Sequence, residues 1–255
     1  MSTDPVVWKP PPAHVILPYN ELHIWLADLD NSWAAAWEWE RVLNEEERAQ
    51  ADRLRFDQDQ KRFVTARGVL RTIIGQYYLG MEPSLVEFYF GTRGKPFVKG
   101  YPEKMSFQFN SSHSRSFALY GFIQEYAIGV DIEYIRAIQE AASIIDGNCS
   151  EREKTSYHSL PEHERLSAFF NCWTRKESFI KAIGEGLYYP LDKFDVSLRP
   201  DAPAKILSID KSSSEAARWT LMDINPLEGF LGAAAVRGQV ENIIFFEFPH
   251  LSKDT

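Results

Sequence analysis

The chain has 255 residues, 44% of them hydrophobic and 25% charged, with a formal net charge of −8. That length buries a sizeable core in one domain or two small ones, and the composition is that of a globular protein. The acidic balance argues against general nucleic-acid binding, no apolar run is long enough to span a membrane, and two cysteines, Cys149 and Cys172, are too few for a disulfide framework, which fits a reducing cytoplasmic setting.

In chain order, residues 1–19 form a proline-rich segment with Pro5, Pro10, Pro11 and Pro12 and no basic-then-apolar stretch, so neither a signal peptide nor a membrane anchor is expected. Residues 23–29 read as a first strand. Asn44 followed by Glu47 makes a capping box for a helix through about residue 55, and a longer helix over 59–79 ends at Gly80. Between Arg48 and Arg71 stand seven bases, Arg48, Arg53, Arg55, Lys61, Arg62, Arg67 and Arg71, against three acids. Such a basic region on an acidic protein suits a polyanionic small molecule or an acidic protein partner. Strands at 86–90 and 96–98 flank a turn that contains Lys95. Within Asn110-Ser111-Ser112-His113-Ser114, His113 reads on its own as a loop histidine. A strand at 117–123 is expected to pair with one at 127–133 through a short connection.

In that last strand Ile128, Val130 and Ile132 alternate with Gly129, Asp131 and Glu133, so both carboxylates lie on one face. A helix is expected over 162–183, opened by Pro161 at a first-turn position and stopped by Gly184. Leu166, Phe169, Phe170, Trp173 and Ile180 fall into one apolar stripe, and Glu177 lies inside it. A carboxylate among core-facing side chains needs a cation or several donors, and Lys181, one turn on, is its expected partner. If strand and helix pack together, Asp131, Glu133 and Glu177 make an all-oxygen cluster suited to a hard cation such as Mg²⁺. The alternative on these residues alone is a solvated acidic strand face beside a surface ion pair. Strand character at 194–198, 219–224, 230–237 and 243–248 completes an α+β chain with antiparallel sheets.

Blocks 65–75 and 174–184 form an internal repeat: both begin with Thr, carry a basic residue third and end in Ile-Gly. Gly68 stands where Glu177 stands, so only the second half can supply the third carboxylate.

Gly129-Val130-Asp131-Ile132-Glu133, followed by Trp173-Thr174-Arg175-Lys176-Glu177-Ser178-Phe179-Ile180-Lys181, resembles the paired signature of the Sfp-type 4′-phosphopantetheinyl transferases. Arg62, Gly94-Lys95-Pro96, the 110–114 segment and Gly184-Glu185-Gly186-Leu187 match further elements of that family in order. The resemblance implies two similar α/β halves with antiparallel sheets, arranged as a pseudo-twofold dimer within one monomeric chain: residues 20–125 with the nucleotide contacts and 126–255 with the metal site and signature helix. It implies transfer of the phosphopantetheine arm of coenzyme A to a serine of an apo acyl or peptidyl carrier protein, with release of 3′,5′-ADP. Asp131, Glu133 and Glu177 are then the Mg²⁺ ligands, and Glu177 and Lys181 the catalytic pair. Arg62, Lys95, Ser112, His113 and Lys181 are the coenzyme A contacts. The general base stays open between Glu177 and a base acting through water or a hydroxide on the ion. Two other readings stand beside this one, a non-catalytic coenzyme A-binding regulatory protein and a Mg²⁺-dependent phosphohydrolase.

Overall fold

A computed structural model describes residues 6–32, 36–100 and 107–249; Pro5 and residues 250–255 lie outside the described residues. The chain runs through β1 (Glu21–Asp28), α1 (Ala36–Val42), α2 (Glu45–Ala51), α3 (Asp57–Thr72), β2 (Phe88–Phe90), β3 (Pro96–Val98), β4 (Phe107–Ser114) and β5 (Phe117–Gln124). It continues with β6 (Ile128–Tyr134), α4 (Ala141–Asn148), α5 (Glu151–His158), α6 (Glu162–Ile183), β7 (Phe194–Val196), β8 (Ile206–Ile209), α7 (Ser213–Ala216), β9 (Thr220–Ile224), β10 (Phe230–Val236) and β11 (Asn242–Glu247).

Two main sheets, ordered β11-β1-β5-β4 and β6-β10-β9, lie back to back. Between them Leu22, Ile24, Leu119 and Ile123 of the first meet Val130, Ile132, Ile224 and Val236 of the second in one apolar layer. A second core fills the space between the first sheet and the α1 and α3 helices, around Trp25, Trp39, Val69 and Ile73. A third surrounds α6 with Phe170, Phe179, Phe194 and Tyr157. Each main sheet is thus covered on its outer face by a helix, which is how an α+β chain buries both sides of its sheets.

The capping box at Asn44 forms as expected: Asn44 Oδ1 accepts from Glu47 N at 2.8 Å and Asn44 N donates to Glu47 Oε2 at 3.1 Å. The helix it opens stops at Ala51, before the extended residue Phe56 that leads into α3. α3 continues as a π-helical stretch, Ile73–Leu79, to the left-handed cap Gly80. Pro161 is the N-cap of α6 rather than a residue of its first turn.

Three expectations are corrected. The serine-rich segment 110–114 is not a loop but the outer part of β4. β5 does not pair with β6, because both edges of β5 are already taken by β1 and β4. Glu125 turns the chain in the left-handed region, φ 63°, and β6 pairs with β10 in the other sheet. Not every ladder is antiparallel: β11 lies parallel to β1.

Candidate active site

Two sheet edges meet at the centre of the molecule. β4 ends the first sheet and β6 ends the second, and the unpaired groups of such edges need partners. Side chains supply them. Asn110 Oδ1 accepts from Val130 N at 2.9 Å, Ser112 Oγ donates to Asp131 Oδ1 at 2.8 Å, and Ser114 Oγ donates to Glu133 Oε2 at 3.0 Å while accepting from Tyr134 N at 3.1 Å. The period of two in Asn110, Ser112 and Ser114 matches the spacing of Asp131 and Glu133, so the two strands zip through alternate side chains.

The face of β6 that carries these carboxylates lies under α6. A Cβ on Gly129 would overlap the Ser178 carbonyl and the Ala182 amide, so glycine alone lets the helix backbone come this close. Two neighbouring cations of the signature fix the rotation of the helix. Arg175 grips Asp223 of β9 with Nε and Nη2 at 2.8 and 2.7 Å, and buried Lys176 Nζ reaches Glu153 at 2.9 Å and the carbonyls of Leu191 and Phe194 at 2.7 and 2.8 Å. Trp173, Glu177 and Lys181, spaced by one turn each, remain half-buried.

Lys181 Nζ donates to Asp131 Oδ1 at 2.6 Å and to Ser112 Oγ at 2.9 Å. The expected Lys181–Glu177 pair does not form: the ammonium goes to Asp131, which is only 4% exposed and has the most to lose by being unpaired. Asp131 Oδ2 is buried with no partner. Burial raises the Asp131 pKa against the pull of Lys181, Ser112 and the Ile132 amide. Burial and then the Asp131 charge raise Glu133, and burial followed by repulsion from Asp131 raises Glu177, with Glu133 adding to it and Lys181 opposing. Three carboxyls raised in this way around an orphaned oxygen describe a place short of positive charge, and an all-oxygen donor set fits a hard divalent cation of the Mg²⁺ type. The set is open rather than closed. Among the described residues, donor atoms within 4.8 Å of one another are those of Cys149, Glu153 and Cys172, not these three, as expected of like charges with a lysine lodged on one of them.

The expected nucleotide contacts separate into two groups. Ser112 is in the knot with Lys181 and Asp131. His113, next to it on β4, keeps surface open to solvent but is crowded by protein on its other sides, so desolvation and then the charges of Lys181, Arg67 and Arg62 lower its pKa. Those charges line one rim of the seam. Arg62 is held in a two-pronged pair with Asp30, Nε and Nη2 at 2.8 and 2.7 Å. Arg71 is not part of the basic region's surface, since it is buried against Glu47 at 2.7 Å. Lys95 Nζ donates to the carbonyls of Ile128 at 3.0 Å and Ala182 at 2.7 Å, and burial lowers its pKa to about 8. It therefore pins the β2–β3 hairpin to the start of β6 and the end of α6. Beside Glu133 a cavity of about 530 Å³ is floored by Phe169, Phe170 and Trp173.

Sequence reasoning missed Asp30, and it singled out Arg67, Asn110 and Ser114 only as members of the basic region and the 110–114 segment, without the contacts they make here. The alternation of Asn110, Ser112 and Ser114 was the available signal for the last two; nothing local marks Asp30 as the partner of a residue 32 positions away.

The arrangement is matched by known proteins along most of the chain. The profile of the 4′-phosphopantetheinyl transferase superfamily matches residues 127–229, and that of the 4′-phosphopantetheinyl transferase N-terminal region matches 29–121. The 4′-phosphopantetheinyl transferase HetI of Nostoc sp. is 33% identical over 231 residues, covering 91% of this chain and 94% of the relative. The transferase psf-1 of Bacillus pumilus is 36% identical over 63% of this chain and 66% of its own length, and Sfp of Bacillus subtilis is 30% identical over 67% and 73%. With both halves matched and one relative aligned almost end to end, the chain belongs to the 4′-phosphopantetheinyl transferase family.

Proposed function

We propose that the chain moves the 4′-phosphopantetheine arm of coenzyme A onto a serine hydroxyl of an apo carrier protein, releasing 3′,5′-ADP, with its chemistry at the β4–β6–α6 seam. The observation that supports this siting is the knot of Ser112, Lys181 and Asp131 beside an unpartnered Asp131 Oδ2 and two further carboxyls of raised pKa. In this reading Asp131, Glu133 and Glu177 hold Mg²⁺. When bound, the ion neutralises charge on the diphosphate, the usual contribution of a metal to such transfers.

The chain's own residues do the rest. Lys181, already donating two hydrogen bonds, turns its ammonium to the phosphates and steadies the departing charge. Arg62 and His113 take the nucleotide phosphates at the basic rim, where an arginine fork is apt. Lys95 acts there by holding the hairpin in place, and Ser112 orients Asp131. Glu177 is placed to take the serine proton through water, although a carboxylate that holds a cation is a weaker base than the metal-free group. The carrier approaches over the apolar floor beside Glu133. Both sides of the seam come from one chain, so a monomer suffices. No described helix is long and apolar enough to cross a membrane.

The test is incubation with coenzyme A, Mg²⁺ and apo carrier proteins from fatty-acid, polyketide and nonribosomal peptide systems. The expected result is a carrier heavier by the phosphopantetheine group and no transfer when the metal is chelated. Unchanged carriers across the set overturn the activity, and hydrolysis of coenzyme A without any carrier supports the phosphohydrolase reading instead.

A further inference from the structure

Away from the seam the molecule holds two thiols that the transfer chemistry does not use. Cys149 is the C-cap of α4, Cys172 lies in the middle of α6, and they are the chain's two cysteines. Their sulfurs are 3.6 Å apart, in hydrogen-bonding contact. Both are buried, at 5% and 1% exposure, but their surroundings differ. Cys172 is sealed in the core around α6. Cys149 lines a cavity of about 1090 Å³ whose wall carries four bases, Arg152, Lys154, Lys193 and Lys211, and four acids, Glu151, Asp192, Asp195 and Asp210. Both belong to the same buried core, but Cys149 also borders the cavity and Cys172 does not, so a small reagent approaches the pair from the Cys149 side. The electrostatics run the same way: the hydrogen bond with Cys172 lowers the Cys149 thiol, helped by Lys176 and Lys154 against burial and Glu153, whereas the same bond and burial push Cys172 up.

A metal site is the competing use, because a Glu153 oxygen lies within 4.8 Å of both sulfurs. That carboxylate is already filled. Oε1 accepts from Val196 N at 2.8 Å, while Oε2 accepts from Ser150 N at 3.0 Å and pairs with Lys176 at 2.9 Å. Two sulfurs without a free third donor fall short of the tetrahedral set that a zinc site requires.

We infer that Cys149 and Cys172 are a reversible redox pair, with Cys149 the attacking and Cys172 the resolving thiol, closed to an internal disulfide by a peroxide or a small disulfide that enters the cavity. With hydrogen peroxide, the Cys149 thiolate takes one oxygen as the O–O bond breaks, and the leaving hydroxide picks up a proton to become water. The Cys172 sulfur then attacks the sulfenic sulfur of Cys149, the S–S bond forms, and the sulfenic oxygen leaves as a second water with the Cys172 proton. Two thiols lose two electrons and the peroxide gains them. With a small disulfide such as glutathione disulfide, two successive exchanges release two molecules of its thiol. The sulfurs must close to about 2.05 Å, which ties the end of α4 to the helix that carries Trp173, Glu177 and Lys181.

The test uses the full chain, reduced, desalted and treated with hydrogen peroxide or, separately, glutathione disulfide, then denatured, alkylated with iodoacetamide and weighed intact. The expected product is a monomer lighter by two hydrogens with no alkylated cysteine, returned by dithiothreitol to a doubly alkylated chain. C149S should keep one alkylatable thiol and form no internal bond. Two thiols still open to alkylation in the treated wild-type chain overturn the inference. So do oxidation that stops at added oxygen, a persistent glutathione adduct on Cys149, or disulfide-linked dimers. The wild-type mass decides the matter even where the variant fails to fold, and none of these outcomes depends on the transferase activity.

Discussion

Helices α3 and α6 each cover one main sheet, and they differ where blocks 65–75 and 174–184 set a glycine against a glutamate. In α6 it is Glu177, half-buried over the acidic face of β6. In α3 it is Gly68, where a Cβ would come within 2.7 Å of the Trp39 ring, so the same slot is used for packing. The strands beneath repeat the contrast: β6 contributes Asp131 and Glu133, whereas β4 contributes the neutral Asn110, Ser112 and Ser114. Two acidic edges facing each other would add repulsion to carboxyls whose pKa values are already raised. One acidic strand edge facing one neutral, donating edge gives a site that can stay folded without a cation.

The contrast breaks most completely at Glu177. Glu177→Gln keeps the shape and removes the charge, and transfer to an apo carrier should fall by about 10²–10³-fold, the scale for losing one preorganised electrostatic group, with the fold intact by circular dichroism. Near-original turnover would remove Glu177 from the chemistry. Next come the two glycines. Gly129→Ala should lower unfolding free energy by about 3 kcal/mol, the upper end for overpacking, because the obstructing atoms are helix backbone. Gly68→Ala meets a side chain that can turn aside, and about 1–2 kcal/mol is expected in the same denaturant titration. Equal costs would mean that the Trp39 ring of α1 yields no more readily than the α6 backbone over Gly129.

Lys95→Met removes the donor to two carbonyls while keeping much of the stem, and about 1–3 kcal/mol should be lost. A fourth effect is read from pH. Asp131, Glu133 and Glu177 have pKa values above the ordinary 3.8 and 4.5. Such groups hold more protons folded than unfolded, so stability without metal is greatest below the ordinary values and declines as pH rises through the raised ones. The part of the melting temperature that these three groups supply should fall as pH rises above their ordinary values, and Mg²⁺ should restore that loss at higher pH while doing little below them. A flat profile that metal does not change would argue against a shared ion. Smallest is Ser114→Ala, which leaves Glu133 and the Tyr134 amide short of one partner at a half-exposed seam, about 1 kcal/mol by thermal melting.

Much of this was legible residue by residue. The period of two in β6, the Asn44 capping box and the helix from Glu162 to the left-handed Gly184 are local patterns, and each appears where its pattern lies. The short helices α1, α4 and α5 went unread, although Ser150 and Glu153 form a second capping box with both hydrogen bonds in place. β4 was obscured by its serines, whose hydroxyls serve the seam rather than a turn. The β5–β6 pairing failed for a different reason: strand order depends on which edges remain free once β1 and β4 have docked.

Spacing alone determined that Asp131 and Glu133 share a face and that Glu177 and Lys181 stand one turn apart, because backbone geometry converts sequence intervals into directions. Which charge Lys181 meets was decided only when α6 settled on Gly129, since distances between segments 50 residues apart depend on packing. The cation then went to the carboxylate with the highest desolvation penalty, and the resulting orphan, Asp131 Oδ2, is a property of the assembled seam that no run of residues contains.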